Sequence, residues 1–339
     1  GSDEDPNSPN SGNTHQWRIW SMWVDYQEVK NDKSLFVSEF GFQGPANKET
    51  LEKVIPNEHR KVHDRIFEFH NKQVEGPERV AKFLSAHLPV TAKWDDYLYL
   101  AQLNQAFALK TCLEHWRTNG RSNGSIIWQL NDCWPVTSWA IVDSDLKPKM
   151  AYHFVKNIFT PQLVYFAEFD DTIEVRIQNQ SVSEFSGNVE LIQIDTTENK
   201  TFNKINEKVT LEPNQTKMIL KIPKSEIISD DNSLLISRLH STTNDLVNTN
   251  YFAVKKWKHY NIVKVTPSIE IKGSDNTKTI VISSPKAALF VDLYSKGIEF
   301  EDRGFVLLPG ESKKIKLTGN VMNLKEDDIK IFTLNKYLT

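Results

Sequence analysis

The chain has 339 residues, of which 39% are hydrophobic and 25% charged, and this composition fits a globular protein of two or three domains. Its 41 basic and 44 acidic residues give a net charge of −3, so nothing in the charge points to nucleic acid or to an anionic membrane as a partner. Two cysteines exclude a disulfide framework, and no run of 18 apolar residues predicts a transmembrane helix.

The N-terminal segment divides into a polar stretch and an aromatic one. Residues 1–14 are rich in Asp, Asn, Ser, Pro and Gly without apolar periodicity, which predicts a loop or a disordered segment. Residues 15–23 then bring three tryptophans close together. Because tryptophan fills cores and also stacks on sugar rings, this segment fits either a core cluster or a ligand site.

Residues 35–45 hold the first predicted strand, an apolar β-prone run that a Gly-Pro pair ends. Its carboxylate, Glu39, stands among Val37, Phe40 and Phe42, where burial would be costly without a partner. If the strand belongs to a parallel barrel, Glu39 lies at its C-terminal end, where barrel enzymes carry their catalytic residues.

Helical patterns follow this strand. Short helices are predicted in residues 48–74, one helix starts at Pro77, and a longer one runs from Asp95 to Trp116. Residues 125–135 repeat the pattern of the first strand, and residues 149–159 predict a further helix. The order of strand, helices and strand favours parallel strands joined by crossover helices.

His59 and His63 have a spacing that also occurs in metal sites. The two histidines are four residues apart and could share one helix face, as in a zinc helix. No glutamate stands between them, so we predict no metal ligands and no cofactor.

Four motifs then occur in order: SEFGFQ at 38–43, QLNQA at 102–106, EHWR at 114–117 and IIWQLNDCWP at 126–135. Together they resemble the β-mannosidases, which belong to the retaining glycosidase family that also includes β-galactosidase and β-glucuronidase. The resemblance covers most of residues 12–160. It implies that residues 1–160 form the C-terminal part of a (β/α)8 TIM barrel.

The resemblance also implies roles for particular residues. Glu39 becomes the nucleophile, Trp128 a platform under the sugar, and the rim of the site lies in the loop that follows. The residues assigned to substrate or rim are His15, Trp17, Trp128, Asn131, Asp132 and Trp134. In the family the acid/base Glu follows an Asn upstream of a His-x-Trp segment, which here is His15-Gln16-Trp17, and no Asn-Glu pair precedes Glu39 in this chain. We therefore expect the acid in a missing N-terminal half of the same protein, and expect this chain alone to be inactive.

Beyond residue 160 the periodicity changes to strict alternation, with polar turns between short strands. This predicts two β-sandwich domains, at residues 161–257 and 258–339. The segment 305–314 resembles the C-terminal immunoglobulin-like domain of β-mannosidases, and we expect both sandwiches to be immunoglobulin-like.

Two functions follow from these predictions. The first is exo-hydrolysis of terminal β-D-mannosides with retention, on an oligosaccharide or glycoconjugate. The alternative is a non-catalytic β-sandwich carbohydrate-binding or interaction module that carries a partial barrel. No signal peptide is visible in this chain, and a secreted, periplasmic or lysosomal-type compartment is compatible with the sequence.

Overall fold

The structure is a computed structural model, and it describes residues 5–228, 232–273 and 278–338. The first four residues of the predicted N-terminal loop lie outside these ranges. From residue 5 to residue 160 helices are the main regular elements, and strands dominate thereafter.

The N-terminal region contains two short parallel strands, β1 (Thr14–His15) and β2 (Val37–Glu39), which place His15 opposite Glu39. The α-helices of this region are α1 (Arg18–Ser21), α2 (Lys48–Glu52), α3 (Arg65–Phe69), α4 (Gly76–His87), α5 (Trp94–Thr118) and α6 (Met150–Ile158). The 3-10 helices of the described chain are Tyr26–Asn31, Asn57–His59, Trp257–His259, Glu326–Asp328 and Leu334–Tyr337.

Helix α5 is the structural centre of the N-terminal region. Its 25 residues contain no Gly or Pro, and Asp95 and Asp96 lie in the first turn, where they complement the helix dipole. It stops before Gly120, whose φ of +70° suits a left-handed residue after a helix. This confirms the long helix predicted from the sequence. Most of its residues are buried, because helices and strands cover it on several sides.

The prediction of a regular strand at residues 125–135 is wrong, because the structure has no strand there. The pairing is reduced to a parallel bridge between Ser125 and Val37, extended by a hydrogen bond from Trp128 N to Phe40 O at 2.8 Å. After Trp128 the chain leaves β2, because Asn131 bridges to Val142 instead. Within the described ranges, regular parallel pairing is limited to β1 and β2, and the barrel stays a prediction.

Two sheets form the middle of the chain, in the orders β3-β4-β7 and β6-β5-β8-β9. Their elements are β3 (Gln162–Glu168), β4 (Thr172–Asn179), β5 (Phe185–Asp195), β6 (Lys200–Leu211), β7 (Thr216–Pro223), α7 (Lys224–Ile228), β8 (Ser233–Ser241) and β9 (Leu246–Ala253). Inward-facing apolar residues such as Val175, Leu191 and Leu235 form their common core. All pairings described here are antiparallel, as the alternating pattern predicts.

The last part of the chain forms a second sandwich, with sheet orders β10-β11-β15-β13 and β14-β12-β16. Its strands are β10 (Ser268–Lys272), β11 (Thr279–Ser283), β12 (Ala288–Tyr294), β13 (Ile298–Phe300), β14 (Phe305–Leu307), β15 (Ser312–Gly319) and β16 (Lys330–Phe332). Its own core contains Ile280, Val291 and Ile315.

The three regions share packed contacts. On one side, Phe290 of β12 lies 4.8 Å from Phe107 of α5 and 5.0 Å from Trp257 between their ring centroids. On the other, Arg238 of β8 donates two hydrogen bonds of 2.9 Å to Glu311. The C-terminal sandwich is therefore seated on both the helical region and the first sandwich. None of the helices in the described ranges has the length and apolar character needed to cross a membrane.

Candidate active site around Glu39

Glu39 lies at the C-terminal end of β2, where the chain leaves the parallel pair. Trp17 donates a hydrogen bond of 3.0 Å from Nε1 to Glu39 Oε2. The same oxygen lies 3.7 Å from Nδ1 of His15, and the side chains of His15 and Glu39 are 41% and 27% exposed. The carboxylate is therefore held on one oxygen and still open to solvent.

A cluster of tryptophans surrounds this carboxylate. The ring of Trp17 makes edge-on contacts with Trp128 at 6.3 Å and with Trp139 at 6.0 Å between centroids. Trp128 is 37% exposed. The structure thus brings together four of the predicted site residues, His15, Trp17, Glu39 and Trp128, and adds Trp139, which was not singled out from the sequence.

Gly41 permits a close approach between the end of β2 and the segments that carry Trp128 and Trp139. A Cβ atom at Gly41 would lie 2.2 Å from the backbone oxygen of Trp128 and 3.2 Å from Cβ of Trp139. No side chain fits there without a backbone movement. The glycine of the SEFGFQ motif therefore sets the distance between β2 and the segment at Trp128.

The N-terminal loop contributes to the site through its backbone and one amide side chain. Asn7 Oδ1 accepts a hydrogen bond from Trp17 N at 2.9 Å, and Pro6 O accepts one from His15 N at 2.8 Å. These contacts fix the turn that presents His15 and Trp17. These contacts could not be predicted from residue types, because a polar loop can take many paths.

The Asp132 side chain has no exposed surface in this structure, so a direct contact with substrate is not seen, while its role in shaping the rim loop stays a prediction. Its side chain is fully buried, its Oδ1 lies 2.8 Å from Lys72 Nζ, and its Oδ2 accepts a hydrogen bond of 2.7 Å from Ser138 Oγ. A carboxylate with no exposure cannot contact a sugar directly. In this structure Asp132 holds the loop from inside, because a buried charge needs a paired cation.

Asn131 and Trp134 lie on the loop but apart from Glu39. Asn131 is exposed and donates to the backbone oxygen of Asp132 at 3.2 Å. The ring of Trp134 lies 5.2 Å from that of His70. In the described ranges, no hydrogen bond or ring contact joins either of them to Glu39.

Lys149 lies beneath the site and was also missed in the sequence. Its side chain is buried, and Nζ donates to Gly44 O at 2.8 Å and to Ser138 O at 3.4 Å. Burial lowers the pKa of Lys149 to about 8, opposed in part by the negative charges of Asp132 and Asp143. The lysine therefore ties the segment that follows β2 to the loop at Ser138.

The arrangement suits chemistry on an uncharged ring. One carboxylate, one imidazole and an indole donor meet beside aromatic faces, which can hold the apolar face of a sugar. Across the described ranges, no group of three metal-ligating side chains is found. His59, considered above as a ligand, lies 3.0 Å from Asp64 instead.

Comparison with known families bears on the two sandwiches. The profile of a mannosidase Ig/CBM-like domain matches residues 171–259, and that of an Ig-fold domain named for mannosidases matches residues 263–336. These matches confirm the immunoglobulin-like character expected of both parts.

Comparison with whole proteins extends to the N-terminal region. β-Mannosidase B of Aspergillus niger is 27% identical over 307 residues, which are 84% of this chain and 36% of that protein. The structure of a β-D-mannosidase from Dictyoglomus thermophilum is 30% identical with a TM-score of 0.88, over 98% of this chain and 41% of that one. An exo-chitosanase of Amycolatopsis orientalis shares the fold at 17% identity, with a TM-score of 0.68 over 88% of this chain and 42% of that one.

The proteins that this chain resembles are glycoside hydrolases. More particularly, the chain is a relative of the β-mannosidases and corresponds to a C-terminal portion of them. The chain spans about a third of the length of the curated relatives it matches.

Proposed function

We propose that this chain is the part of a retaining β-mannosidase that carries the nucleophile, Glu39. The observation that carries the proposal is the position of Glu39 at the end of a parallel strand, held on Oε2 by Trp17 and exposed beside Trp128. On this proposal, residues 1–160 form the C-terminal part of the (β/α)8 barrel. The domain boundaries then fall near residues 160 and 257.

The first chemical step belongs to Glu39. Since Trp17 holds Oε2, the other oxygen attacks the anomeric carbon, forming a carbon–oxygen bond while the glycosidic bond breaks. The leaving oxygen takes a proton from a second carboxyl group. Water then attacks the same carbon, returns a proton to that second group and releases Glu39. The retained configuration follows from two displacements in sequence.

The second carboxyl group has to come from elsewhere. A retaining site needs its two carboxyls about 5–5.5 Å apart. The parallel pair of β1 and β2 covers only a fraction of an eight-stranded barrel. We propose that a missing N-terminal half of the same protein supplies both the acid/base Glu and the remaining strands.

The substrate is proposed to be the terminal mannose of a β-mannoside oligosaccharide or glycoconjugate. His15 binds a hydroxyl group beside the nucleophile, Trp17 orients Glu39 through its indole N–H, and Trp128 packs against the sugar ring. Asn131 and Trp134 are proposed to contact a longer substrate at the rim. Asp132 acts through the loop, by its contacts with Lys72 and Ser138. Neither nucleic acid nor a membrane is part of the proposal.

The experiment compares Glu39→Gln with the unaltered protein, both in a protein that includes the N-terminal half. Gln keeps the shape but cannot attack, so turnover of an aryl β-mannoside should fall by several orders of magnitude. Glu58→Gln, at an exposed glutamate in the 3-10 helix Asn57–His59, is the matched control and should keep full turnover. Equal activity of both variants would contradict the proposal.

The carbohydrate-binding alternative rests on the Ig/CBM-like match at residues 171–259. It predicts that β-mannosides bind the chain without the Glu39 site. Binding that survives in the Trp17→Ala, Trp128→Ala double variant and is lost on changes within residues 171–259 would favour this alternative. Binding that disappears with the two tryptophans would favour the catalytic proposal.

A further inference from the structure

A partly exposed aromatic cluster lies where two segments of the N-terminal region meet. The ring of Phe69 lies 6.2 Å from that of Trp134, and the ring of His70 lies 5.2 Å from that of Trp134 between centroids. Phe69 is 74% exposed. Single exposed apolar side chains are common on protein surfaces, but this ring belongs to a group of three, which we call the rim cluster.

The two segments that form the rim cluster leave the parallel pairing at the same end as Glu39. Phe69 and His70 belong to the chain that follows the C-terminal end of β2. Trp134 belongs to the chain that follows residues 125–128, which pair in parallel with β2. Because parallel segments have their C-terminal ends at one edge of a sheet, both connections start at the edge where Glu39 lies.

Direct contacts tie the rim cluster to the loop that begins at Trp128. Lys72, two residues after the histidine of the cluster, has its Nζ 2.8 Å from Asp132 Oδ1 and donates to Gln129 Oε1 at 3.3 Å. Gln129 is the residue next to Trp128. Six residues separate Trp128 from Trp134, so their Cα atoms are at most about 22 Å apart. The rim cluster and the Trp128 ring therefore belong to one short loop.

Backbone contacts hold the rim cluster in place. His70 Nδ1 donates a hydrogen bond of 2.6 Å to Pro135 O, and Thr137 N donates one of 2.8 Å to His70 O. Lys72 N donates to Thr137 O at 3.1 Å. The two segments thus run side by side, and the cluster is a preformed surface, which lowers the entropic cost of binding a ligand.

The chemistry of this surface suits an uncharged sugar ring. Exposed aromatic faces can pack against the apolar face of such a ring. The ammonium group of Lys72 is paired with the buried Asp132, so an anionic ligand would have to compete with that pair. Asn131 is exposed, and its Oδ1 has no hydrogen-bond partner among the residues that the structure describes, so it can accept a hydrogen bond from a hydroxyl group.

We propose that Phe69 and Trp134 bind a sugar residue on the leaving-group side of the scissile bond, and that Phe69 sets a preference for longer β-mannoside oligosaccharides. The terminal mannose lies beside Trp128, the oligosaccharide follows the loop past Asn131, and a later sugar packs against the exposed ring of Phe69. This inference rests on the function proposed for Glu39 and extends it to the recognition of the leaving group.

The test compares two substrates in a protein that includes the N-terminal half. β-Mannosyl fluoride has no sugar on the leaving-group side, whereas a linear β-linked mannotetraose extends well past the scissile bond. Phe69→Ala should lower kcat/KM for mannotetraose by about three- to tenfold, mainly through KM, and should change the value for β-mannosyl fluoride by less than about twofold. Phe69→Tyr keeps the ring and should restore the wild-type ratio of the two values.

Phe159→Ala is the matched control, because Phe159 is also an exposed phenylalanine of the N-terminal region and lies at the end of α6. It should leave both values unchanged. An equal loss on both substrates in Phe69→Ala would indicate a structural role, such as a contact with the N-terminal half, and an unchanged ratio would indicate no contact with the sugar. Either result would overturn the inference, and the proposal for Glu39 would still hold if Glu39→Gln is inactive on β-mannosyl fluoride. Full turnover of β-mannosyl fluoride by Glu39→Gln would refute the proposed function instead.

Discussion

Replacing Lys149 with Met should remove a pH dependence of stability that originates beneath the candidate active site. Lys149 is fully buried, donates to the backbone oxygens of Gly44 and Ser138, and has a pKa of about 8 in place of the ordinary 10.5. Desolvation is the main cause, because the charged ammonium loses its water in the folded chain. Met keeps most of the volume and cannot be protonated.

The magnitude follows from the two pKa values. Between about pH 8 and 10.5 the unfolded chain binds more protons at Lys149 than the folded chain, so rising pH favours folding. Integration from about pH 7 to about pH 9.5 gives a gain of about 2 kcal/mol in the free energy of unfolding. Below pH 8 the lysine is charged in both states and contributes no slope.

The assay is urea unfolding at a series of pH values, followed by tryptophan fluorescence. Subtracting the curve of Lys149→Met from that of the wild type isolates the lysine, because the other titrating groups are common to both. Lys208→Met, at an exposed position of β6, is the matched control and should run parallel to the wild type. Parallel curves for Lys149→Met and wild type would refute the reasoning.

Two further predictions concern the contact that Arg303 makes between the C-terminal sandwich and the helical region, and the activity of the chain alone. Arg303→Met should lower the free energy of unfolding by about 3–5 kcal/mol, because it leaves the buried Asp292 without its cation. Urea unfolding measures this loss, and Lys200→Met, which removes an exposed ion pair, is the control that should have no measurable effect. An equally small loss for Arg303→Met would contradict the prediction. The 339-residue chain alone should not hydrolyse p-nitrophenyl β-mannoside, because a missing general acid typically costs about 10²–10⁴-fold in rate. Turnover by the verified chain that disappears on Glu39→Gln would show that the acid lies within it.

The sequence predicted best those features that depend on local pattern. Helix α5 follows from a long run without Gly or Pro, and the sandwich strands follow from alternation. The cluster of Glu39, His15, Trp17 and Trp128 could be anticipated because each lies near the end of a strand or in a distinctive motif. The structure brings these residues together, while their catalytic roles stay predictions.

The features that sequence reasoning missed depend on tertiary contacts. Asp132 stands in the same motif as Trp128, yet its side chain turns inward to Lys72, which is far away in the sequence. Lys149 looked like the start of a helix, and nothing local indicates that it would be buried. The apolar run at 125–135 resembled a strand because its composition is β-prone, but pairing with β2 ends at Trp128. Composition predicts which conformation a segment favours, and tertiary contacts with other segments decide which one it adopts.

The central claim, that Glu39 is the nucleophile, is tested most directly by trapping the covalent intermediate. The protein that includes the N-terminal half is treated with an activated 2-fluoro-β-mannoside, which forms the glycosyl-enzyme but releases it slowly. Peptide mass spectrometry then locates the added sugar. The account predicts one labelled peptide that contains Glu39, and no label in the Glu39→Gln variant. A label on any other carboxylate, with Glu39 unmodified, would contradict it.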